Sequence, residues 1–520
     1  MEKVVNGKLI SFKENISENQ LTKLLKNTHN LKWTTTETEN VSMLDSFDGR
    51  LFNAGYSLKY ANETLIFRNK KNPQKDFSVP LTHKKPPLFS KDIKDENTKI
   101  LLHQILDVRA LITRLTLSLK TKFFNIVNSD NKIIARGRLV TCKPSEPEKG
   151  PEKVFCFINP LRGYNTELVA AIKNWPASSR VSNFDRAILK IYDINFESYA
   201  KPVFSFNKDM SLSEAFFSIL KVSFEIMRKN ENGIIDDTDI EFLHDYRVSA
   251  RRIRSALGLI KNVIKPEMSA TLINDLRQIG TVSGPLRDLD VYLLRETEYK
   301  ELVPESWSSR EIHTIFVTLK NRRRRALKNM VTLLKSEEYK KTMSRWDAFF
   351  EDYNKHVKKD RPLFNSASAL IMKRYKRVLN DGSLLTKQSP DDGFHELRIT
   401  CKKLRYLLEF FSSLYPAEKI GLAIKQLKKL QDNLGDFNDL SVQIDSLEQF
   451  LMAARKKNNT ILIQDISGLI AVLNFKKQRL RDEFYSLFKK FSSPENQQLF
   501  KEMFANKRRI NFTTQMEKSK

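Results

Sequence analysis

The sequence has few cysteines and no long apolar run, and both shortages restrict what the chain can be. Its three cysteines, Cys142, Cys156 and Cys401, form no C-x-x-C pair and lie near no pair of histidines. A disulfide framework or a zinc site therefore does not organise the fold, and the scarcity suits a reducing compartment. No run approaches about 18 apolar residues, and the N-terminal stretch lacks the apolar core of a signal peptide. We expect a soluble, cytoplasmic protein that does not cross a membrane.

Positive charge, by contrast, is abundant. The 520 residues include 90 Lys and Arg against 62 Asp and Glu, a formal net charge of +28. Such an excess favours a polyanionic partner: nucleic acid, an acidic membrane surface or inorganic polyphosphate. A solvated basic surface that only aids solubility is the simpler explanation. The length predicts at least two domains.

One stretch of the chain occurs twice. Residues 244–257 read HDYRVSARRIRSAL and residues 395–408 read HELRITCKKLRYLL, an offset of 151 residues. A second pair follows at the same offset, LRQIGTVSGPLRDLDV at 276–291 and LKKLQDNLGDFNDLSV at 427–442. Two motif pairs in one register predict an internal duplication, with repeat motifs at 244–291 and 395–442.

Composition divides the chain into three parts. Residues 1–200 are rich in short extended runs and predict an α+β domain, including a long hairpin with strands at 111–127 and 132–142. Residues 208–495 have helical periodicity, and residues 496–520 read as a polar, basic tail.

The helical part predicts antiparallel bundles. Roughly ten helices with short loops are typical of this architecture, and we expect helix breaks near Gly284-Pro285 and Gly435, among others. The duplication predicts two similar four-helix bundles related by a pseudo-twofold axis.

The repeated motif is two-sided when placed on a helix at 100° per residue. With His244 at 0°, one side is apolar and predicted to face the core; it holds Phe242, Tyr246, Ile253, Leu257 and Ile260 in the first copy, and Leu397, Leu404, Leu408 and Phe411 in the second. On the other side lies a basic stripe, about 80° wide and three turns long. The two stripes consist of His244, Arg247, Arg251 and Arg254 in the first copy, and His395, Arg398, Lys402 and Arg405 in the second.

Each stripe places like charges at positions that repel one another, unless an anion is bound. Successive phosphates of a chain would meet Arg and Lys donors at every turn, and Arg can bind two oxygens at once. A solvated helix face explains one such stripe, but its recurrence with the histidine in place argues against that explanation. Nearby Arg residues repel cations, which argues against a metal site. Cys401 is at the edge of the core, where packing explains it better than nucleophilic catalysis.

These motifs resemble the CHAD domain, the "conserved histidine α-helical domain". The resemblance rests on H-x-x-R-[VI]-x-x-[RK]-[RK]-[IL]-R followed by G-x-[LF]-[RN]-D-L, and it covers residues 208–495 with both copies. It implies two pseudo-twofold four-helix bundles with a basic groove that binds inorganic polyphosphate. By motif position, the phosphate-binding roles fall on the two stripes. Further candidates are Arg252, Lys403, Arg277, Arg287, Lys428, Arg322, Arg325, Lys373 and Arg377.

The two copies differ at several of these positions. Asn438 stands where the first copy has Arg287, and Lys402-Lys403 where it has Arg251-Arg252. The two halves are therefore expected to bind unequally. The run from Arg322 to Arg325 is as readily explained by a solvated helix face.

The N-terminal part resembles the CYTH domain, the triphosphate tunnel fold. The resemblance rests on LDSFDGRLFNAGYSLKY at 44–60, and it implies a CYTH-like fold, possibly an incomplete barrel, over about residues 5–200. CYTH enzymes open with an E-x-E-x-K strand that holds a divalent metal. The candidate strand here, Lys8 to Lys13, has no carboxylate, so no ligands for a hard cation are present on it. We interpret the domain as degenerate.

Three functions stay open from the sequence. The first is non-enzymatic binding of polyphosphate, without a cofactor, in the cytoplasm and on polyphosphate granules. The second is metal-dependent triphosphatase activity in the N-terminal domain. The third is non-specific binding of nucleic acid, although the stripes lack the interleaved aromatics that stack on bases.

Overall fold

The protein is described by a computed structural model, which covers residues 8–12, 15–25, 29–69, 72, 75–81, 85–145, 150–173, 175, 177–180, 184–194, 202–302, 309–358 and 360–505. The chain divides into two compact units, Met1–Ala200 and Lys201–Lys520. Among the described residues, no helix combines the length and apolar character needed to cross a membrane.

In its described residues, the first unit is an antiparallel sheet of nine strands with five α-helices. The strands are β1 Lys8–Phe12, β2 Asn30–Asp45, β3 Tyr56–Ala61, β4 Thr64–Asn69, β5 Phe77–Pro80, β6 Ile112–Val127, β7 Ile133–Pro144, β8 Lys153–Pro160 and β9 Ala177–Arg180. Their order in the sheet is β5-β4-β3-β2-β6-β7-β8-β1-β9. The helices are α1 Glu18–Leu25, α2 Arg50–Asn53, α3 Glu96–Leu106, α4 Asn165–Ala171 and α5 Phe184–Ile191. The predicted hairpin is confirmed as β6 and β7.

The long strand β6 contributes to two separate cores. Leu115, Leu117 and Leu119 pack in one core together with α5, whereas Phe124 and Ile126 pack in another core with α1 and α4. This division follows from the strand period of two, because odd and even residues point to opposite faces of the sheet.

The stretch that resembles CYTH forms the turn from β2 through α2 into β3. The buried Asp45 carboxylate accepts hydrogen bonds from the backbone N–H groups of Leu51 and Phe52, both at 2.9 Å. It thereby satisfies donors at the start of α2 that the helix itself leaves unpaired. The CYTH resemblance itself stays a prediction.

The second unit consists of helices. They are α6 Leu212–Lys229, α7 Glu231–Ile235, α8 Ile240–Leu259, α9 Pro266–Leu293, α10 Glu296–Leu302, α11 Ser309–Lys335, α12 Glu337–Glu351, α13 Tyr353–His356, α14 Leu363–Ser383, α15 Asp391–Phe410, α16 Ala417–Lys456, α17 Thr460–Phe491 and α18 Pro494–Phe504. Side chains cap the N-termini of several of these helices. Ser211 and Glu214 form a capping box on α6, and the Asp239 carboxylate accepts a hydrogen bond from the Glu241 N–H at the start of α8.

The internal duplication extends over four helices of each half. Helices α14, α15, α16 and α17 begin 151 residues after α6, α8, α9 and α11, respectively. Related helices also touch one another, since α6 contacts α14, α8 contacts α15 and α11 contacts α17. Contacts between equivalent elements are those that a twofold axis produces. The prediction of two pseudo-twofold four-helix bundles is thus confirmed.

Two predicted helix breaks were wrong. Helix α9 continues through Gly284-Pro285, and α16 continues through Gly435. A proline inside a helix removes one backbone hydrogen bond and a glycine weakens the helix. Buried side chains on either side, such as Leu286 in α9 and Leu434 in α16, anchor both helices to the core across these positions.

The predicted basic tail begins later than expected. Residues 494–504 form α18, which packs against α14 and α16. Phe500 stacks on Tyr375, with ring centroids 3.7 Å apart, and Phe504 is buried against Tyr415. The polar composition of this stretch concealed a one-sided apolar pattern. Residues 506–520 of the predicted tail lie outside the described residues.

Candidate functional site

The core faces of the two motif helices are as predicted. The five predicted core residues of the first copy, from Phe242 on α8 to Ile260 just after it, are buried, and so are Leu397, Leu404 and Leu408 on α15 and Phe411 just after it. The buried Tyr246 hydroxyl hydrogen-bonds the Tyr339 hydroxyl of α12 at 2.9 Å. With these faces fixed in the core, the rotation of each helix is set, and the basic residues lie on the remaining face.

The basic stripes of the two halves meet where α8 contacts α15. Arg251 Nε donates a hydrogen bond to the Tyr406 hydroxyl of α15 at 2.9 Å. The Arg251 guanidinium is also close enough to Arg398 and Lys402 to disfavour their charged forms. The two stripes therefore form one cationic cluster, which we call the joint stripe.

The joint stripe is short of compensating anions. Burial, together with the charges of Arg398 and Arg251, lowers the pKa of Lys402 to about 8, and the Asp439 carboxylate opposes that shift only in part. Burial likewise lowers the pKa of Arg247 and of Arg398. In the part of the chain that the structure describes, Arg398 Nε is buried and has no hydrogen-bond acceptor. An anion bound here would stabilise the charged forms of these side chains and give Arg398 Nε a hydrogen-bond acceptor.

Helix α9 forms a wall next to the first stripe. Arg247 donates to the Ser283 hydroxyl at 2.7 Å, and its guanidinium lies beside Gly284. Arg254 lies beside Gly280, one helical turn earlier. Because glycine has no side chain, the two guanidinium groups can approach the backbone of α9 closely, and Arg247 also donates to the Gly280 carbonyl at 3.4 Å.

Helix α16 forms the corresponding wall in the second half, with different chemistry. Leu434 and Gln431 stand where α9 has Ser283 and Gly280. Arg398 forms an ion pair with Asp439 at 3.5 Å. Asp439 is itself the counterpart of Asp288, which faces Arg247 and Arg287.

The two histidines occupy different surroundings. His395 is exposed, and its Nδ1 is 2.5 Å from Asn438 Oδ1. Asn438 replaces Arg287, which instead donates to the Ile240 carbonyl at 3.2 Å and so ties α9 to the start of α8. His244 is half-buried.

Tyr406, Glu409 and Asp439 are among the polar residues of this site that the sequence did not single out. Glu409 accepts from Arg405 Nε at 2.7 Å. Its i+4 spacing from Arg405 is readable in the sequence, whereas the contact of Tyr406 with Arg251 depends on how α8 packs on α15.

The neighbouring candidates Arg252 and Lys403 are placed unequally. Burial lowers the pKa of Arg252, and the Glu409 carboxylate of α15 opposes that shift most strongly. Arg252 therefore faces the contact between α8 and α15, which we call the seam between the halves. Lys403, by contrast, is exposed.

The secondary candidates make separate contacts. Arg277 and Lys428 are exposed at equivalent positions of α9 and α16, and Arg325 and Lys373 are exposed on α11 and α14. The Arg322 guanidinium lies 5.0 Å from the Phe450 ring centroid, and Arg377 pairs with Asp381 at 2.8 Å. We find no contact in the described ranges that brings Arg322, Arg325, Lys373 or Arg377 to the joint stripe.

Other chemistries find little support in the described residues. No group of three or more His, Cys, Asp or Glu side chains there could hold a metal ion. Cys401 is buried, and burial raises the pKa of its thiol far above the normal range. A thiol in this state is a poor nucleophile.

Comparison with known proteins gives a family match within the helical unit. A family model described as the CHAD domain matches residues 218–448. Two uncharacterized proteins, from two strains of Mycobacterium tuberculosis, are each 26% identical over 216 residues. The match covers 41% of this chain and 41% of each relative, so the chain spans about two fifths of the length of the curated relatives it matches.

Two solved structures are similar to this chain. A CHAD domain from the plant Ricinus communis is 24% identical, with a TM-score of 0.48, and the match covers 55% of this chain and 94% of that one. PptA from Streptomyces chartreusis is 14% identical, with a TM-score of 0.45, and the match covers 53% of this chain and 99% of that one. On the family match, which includes both copies of the repeated motif, residues 218–448 are a CHAD domain.

Proposed function

We propose that the helical unit binds inorganic polyphosphate along the joint stripe. One observation carries the proposal: Arg251 of the first stripe lies among Arg398, Lys402 and Tyr406 of the second. Placing like charges together in a partly buried site costs free energy unless an anion compensates them. The general link between CHAD domains and polyphosphate agrees with this proposal.

The spacing of the donors suits a phosphate polymer. Each stripe presents a cation at about every helical turn of roughly 5.4 Å, and arginine can bind two phosphate oxygens at once. Tyr406, the aromatic residue beside the stripes, already accepts from Arg251 and packs on Phe410, with ring centroids 5.9 Å apart. Phe410 therefore covers one face of the Tyr406 ring, and the hydroxyl is already engaged, which makes this ring a less accessible platform for a base.

Binding is proposed to occur without hydrolysis, in the cytoplasm and on polyphosphate granules. Strand β1, Lys8–Phe12, contains no carboxylate that could hold a divalent cation. Release of phosphate from inorganic triphosphate with added magnesium or manganese would instead support the triphosphatase alternative for the N-terminal domain.

A competition assay tests the choice of polymer. Labelled long-chain polyphosphate is bound to the full chain and then displaced by unlabelled polyphosphate, single-stranded RNA or single-stranded DNA at matched phosphate concentration. We expect polyphosphate to displace the label at least about tenfold more effectively than either nucleic acid, because base contacts are missing. Equal displacement by all three polymers would contradict the proposed preference and support non-specific binding of polyanions.

The titration of Lys402 predicts a dependence of affinity on pH. The amine has a pKa of about 8 in the free protein, so it loses its charge as the pH rises through 8. Because phosphate binding requires the charged form, and the charged fraction falls from about one half at pH 8 to about one tenth at pH 9, affinity should fall by up to about fivefold over that interval. The Lys402→Arg variant stays charged and should show a flatter profile. Identical profiles for the two proteins would show that Lys402 does not contact the ligand.

A further inference from the structure

The second stripe contains an acidic residue that the first stripe lacks. Glu409 lies four residues after Arg405, and Arg405 Nε donates to its carboxylate at 2.7 Å. The counterpart of Glu409 in α8 is Gly258, which is exposed. On the same helical wheel both positions lie near 320°, within the stripe itself.

The helix next to each stripe, α9 in the first half and α16 in the second, adds to this difference in acceptors. In the second half, Arg405 also donates to Gln431 of α16, at 3.4 Å. In the first half the counterpart of Gln431 is Gly280, so Arg254 is flanked by glycine at both equivalent positions. Arg405 therefore has two side-chain acceptors, whereas the equivalent positions beside Arg254 are glycines without a side chain, although the two arginines are related by the duplication.

Glu409 also faces the first half. Its carboxylate is the strongest of the charges that favour the charged form of Arg252, on α8. The Glu409 carboxylate thus interacts with two cations: it accepts a hydrogen bond from Arg405 on its own helix, and its charge stabilises Arg252 on α8. By comparison, Asp288 and Asp439 occupy equivalent positions of the two copies, so this aspartate does not distinguish the halves.

We propose that Glu409 is an internal competitor for the phosphate chain, so that the first stripe binds polyphosphate more strongly than the second. This inference rests on the proposed function. A phosphate that reaches Arg405 must compete with the Glu409 carboxylate, whereas the two glycines at the equivalent positions beside Arg254 offer no side chain that would compete. Glu409 is in this sense a residue that sets affinity and the placement of the chain along the site.

An exchange of the two positions tests the proposal. Glu409→Gln keeps the size of the side chain and removes its charge, and we expect polyphosphate affinity to rise about three- to tenfold at a fixed salt concentration of about 0.1 M. Gly258→Glu places a carboxylate four residues after Arg254, and we expect affinity to fall by a similar factor. An added Cβ at Gly258 meets no atom within 4 Å, so the substitution fits the fold.

Each variant changes the net charge by one, and matched controls separate that general effect. Glu337 and Lys340 form an i,i+3 pair on α12 at 2.7 Å and are 77% and 62% exposed. Glu337→Gln matches the charge change of Glu409→Gln, and Lys340→Gln matches that of Gly258→Glu. Both controls should change affinity less than about twofold, because exposed distant charges are screened by salt.

The outcomes distinguish this proposal from the proposed function. If the unmodified protein binds polyphosphate but Glu409→Gln binds no more tightly than Glu337→Gln, Glu409 does not compete, and the proposed function stands. If Gly258→Glu binds as well as Lys340→Gln, the first stripe is not the stronger one. If the unmodified protein does not retain polyphosphate at all, the proposed function fails and this inference fails with it.

Discussion

A protein carrying Arg247→Glu, Arg251→Glu, Arg398→Glu and Arg405→Glu should lose all measurable retention on immobilised polyphosphate. The four changes remove two cations from each stripe and put carboxylates in their place, which repel the polymer. Removal of even single phosphate contacts weakens binding to a polyanion, and reversal of several compounds the loss, which we expect to exceed about a hundredfold. Retention is measured by pull-down and by equilibrium titration at a fixed, stated salt concentration.

A second variant guards against misfolding as the cause of that loss. Arg251 and Arg247 donate to Tyr406 and Ser283, so glutamate at these positions removes structural hydrogen bonds as well as charge. Glutamine at the same four positions keeps polar groups there without introducing like charges. The glutamine variant should also lose binding while its helical circular dichroism and melting temperature stay close to those of the unmodified protein. Undiminished retention by a folded glutamine variant would contradict a role for the stripes.

The second large effect is expected in the core beneath the stripe. Phe394 precedes His395 on α15 and is 1% exposed. Its ring centroid lies 4.9 Å from that of Phe437 and 5.2 Å from that of Phe484, so it joins α15 to α16 and α17. Truncation of such a side chain leaves a cavity, and we expect Phe394→Ala to lower the free energy of unfolding by about 3–5 kcal/mol.

Chemical denaturation followed by circular dichroism measures this change. Phe475→Ala is a matched control, because Phe475 is 68% exposed and its truncation should alter stability by no more than about 0.5 kcal/mol. At a temperature where Phe394→Ala remains folded, its affinity for polyphosphate should be close to normal, since no cation is lost. A small effect of Phe394→Ala on stability would show that the apolar face of α15 does not fix the orientation of the stripe.

The helical periodicity of the repeated motif was sufficient to predict both faces of α8 and α15. Tyr246, Ile253, Leu404 and Leu408 are buried, because a helix that packs on one side must place these positions inward. The offset of 151 residues also predicted the pseudo-twofold arrangement. Its full extent, over four helices in each half, required the structure, because α6 and α11 share little visible sequence pattern with α14 and α17.

Sequence signals of helix ends gave wrong predictions where packing against the core stabilises the helix. Gly284-Pro285 and Gly435 are ordinary signals of a helix end, yet α9 and α16 continue through them. Buried neighbours hold these helices on the core, and local propensity is only a weak guide when tertiary contacts compete with it. For α18 the error was the reverse, since a helix was found where a polar tail was predicted. Its many charged and polar residues suggested a tail, although Phe500 and Phe504 are buried.

The composition of the joint stripe was only partly accessible from sequence. A helical wheel places each basic residue on its own helix, but it carries no information about which helix lies opposite. The contact of Arg251 with Tyr406 and the position of Arg252 at the seam depend on the packing of α8 against α15. The i,i+4 pair of Arg405 and Glu409 was readable, and a search for acids on the stripe would have found it.

The dependence of affinity on salt is the most direct measurement of the central claim. The logarithm of the binding constant for polyphosphate is plotted against the logarithm of salt concentration for the unmodified protein, Arg247→Gln/Arg251→Gln and the control Lys340→Gln. Each lost phosphate contact should reduce the slope by about 0.7, by analogy with single-stranded nucleic acids. We predict a clearly shallower slope for the double variant and an unchanged slope for Lys340→Gln. Equal slopes for all three proteins would show that Arg247 and Arg251 do not contact the phosphate chain.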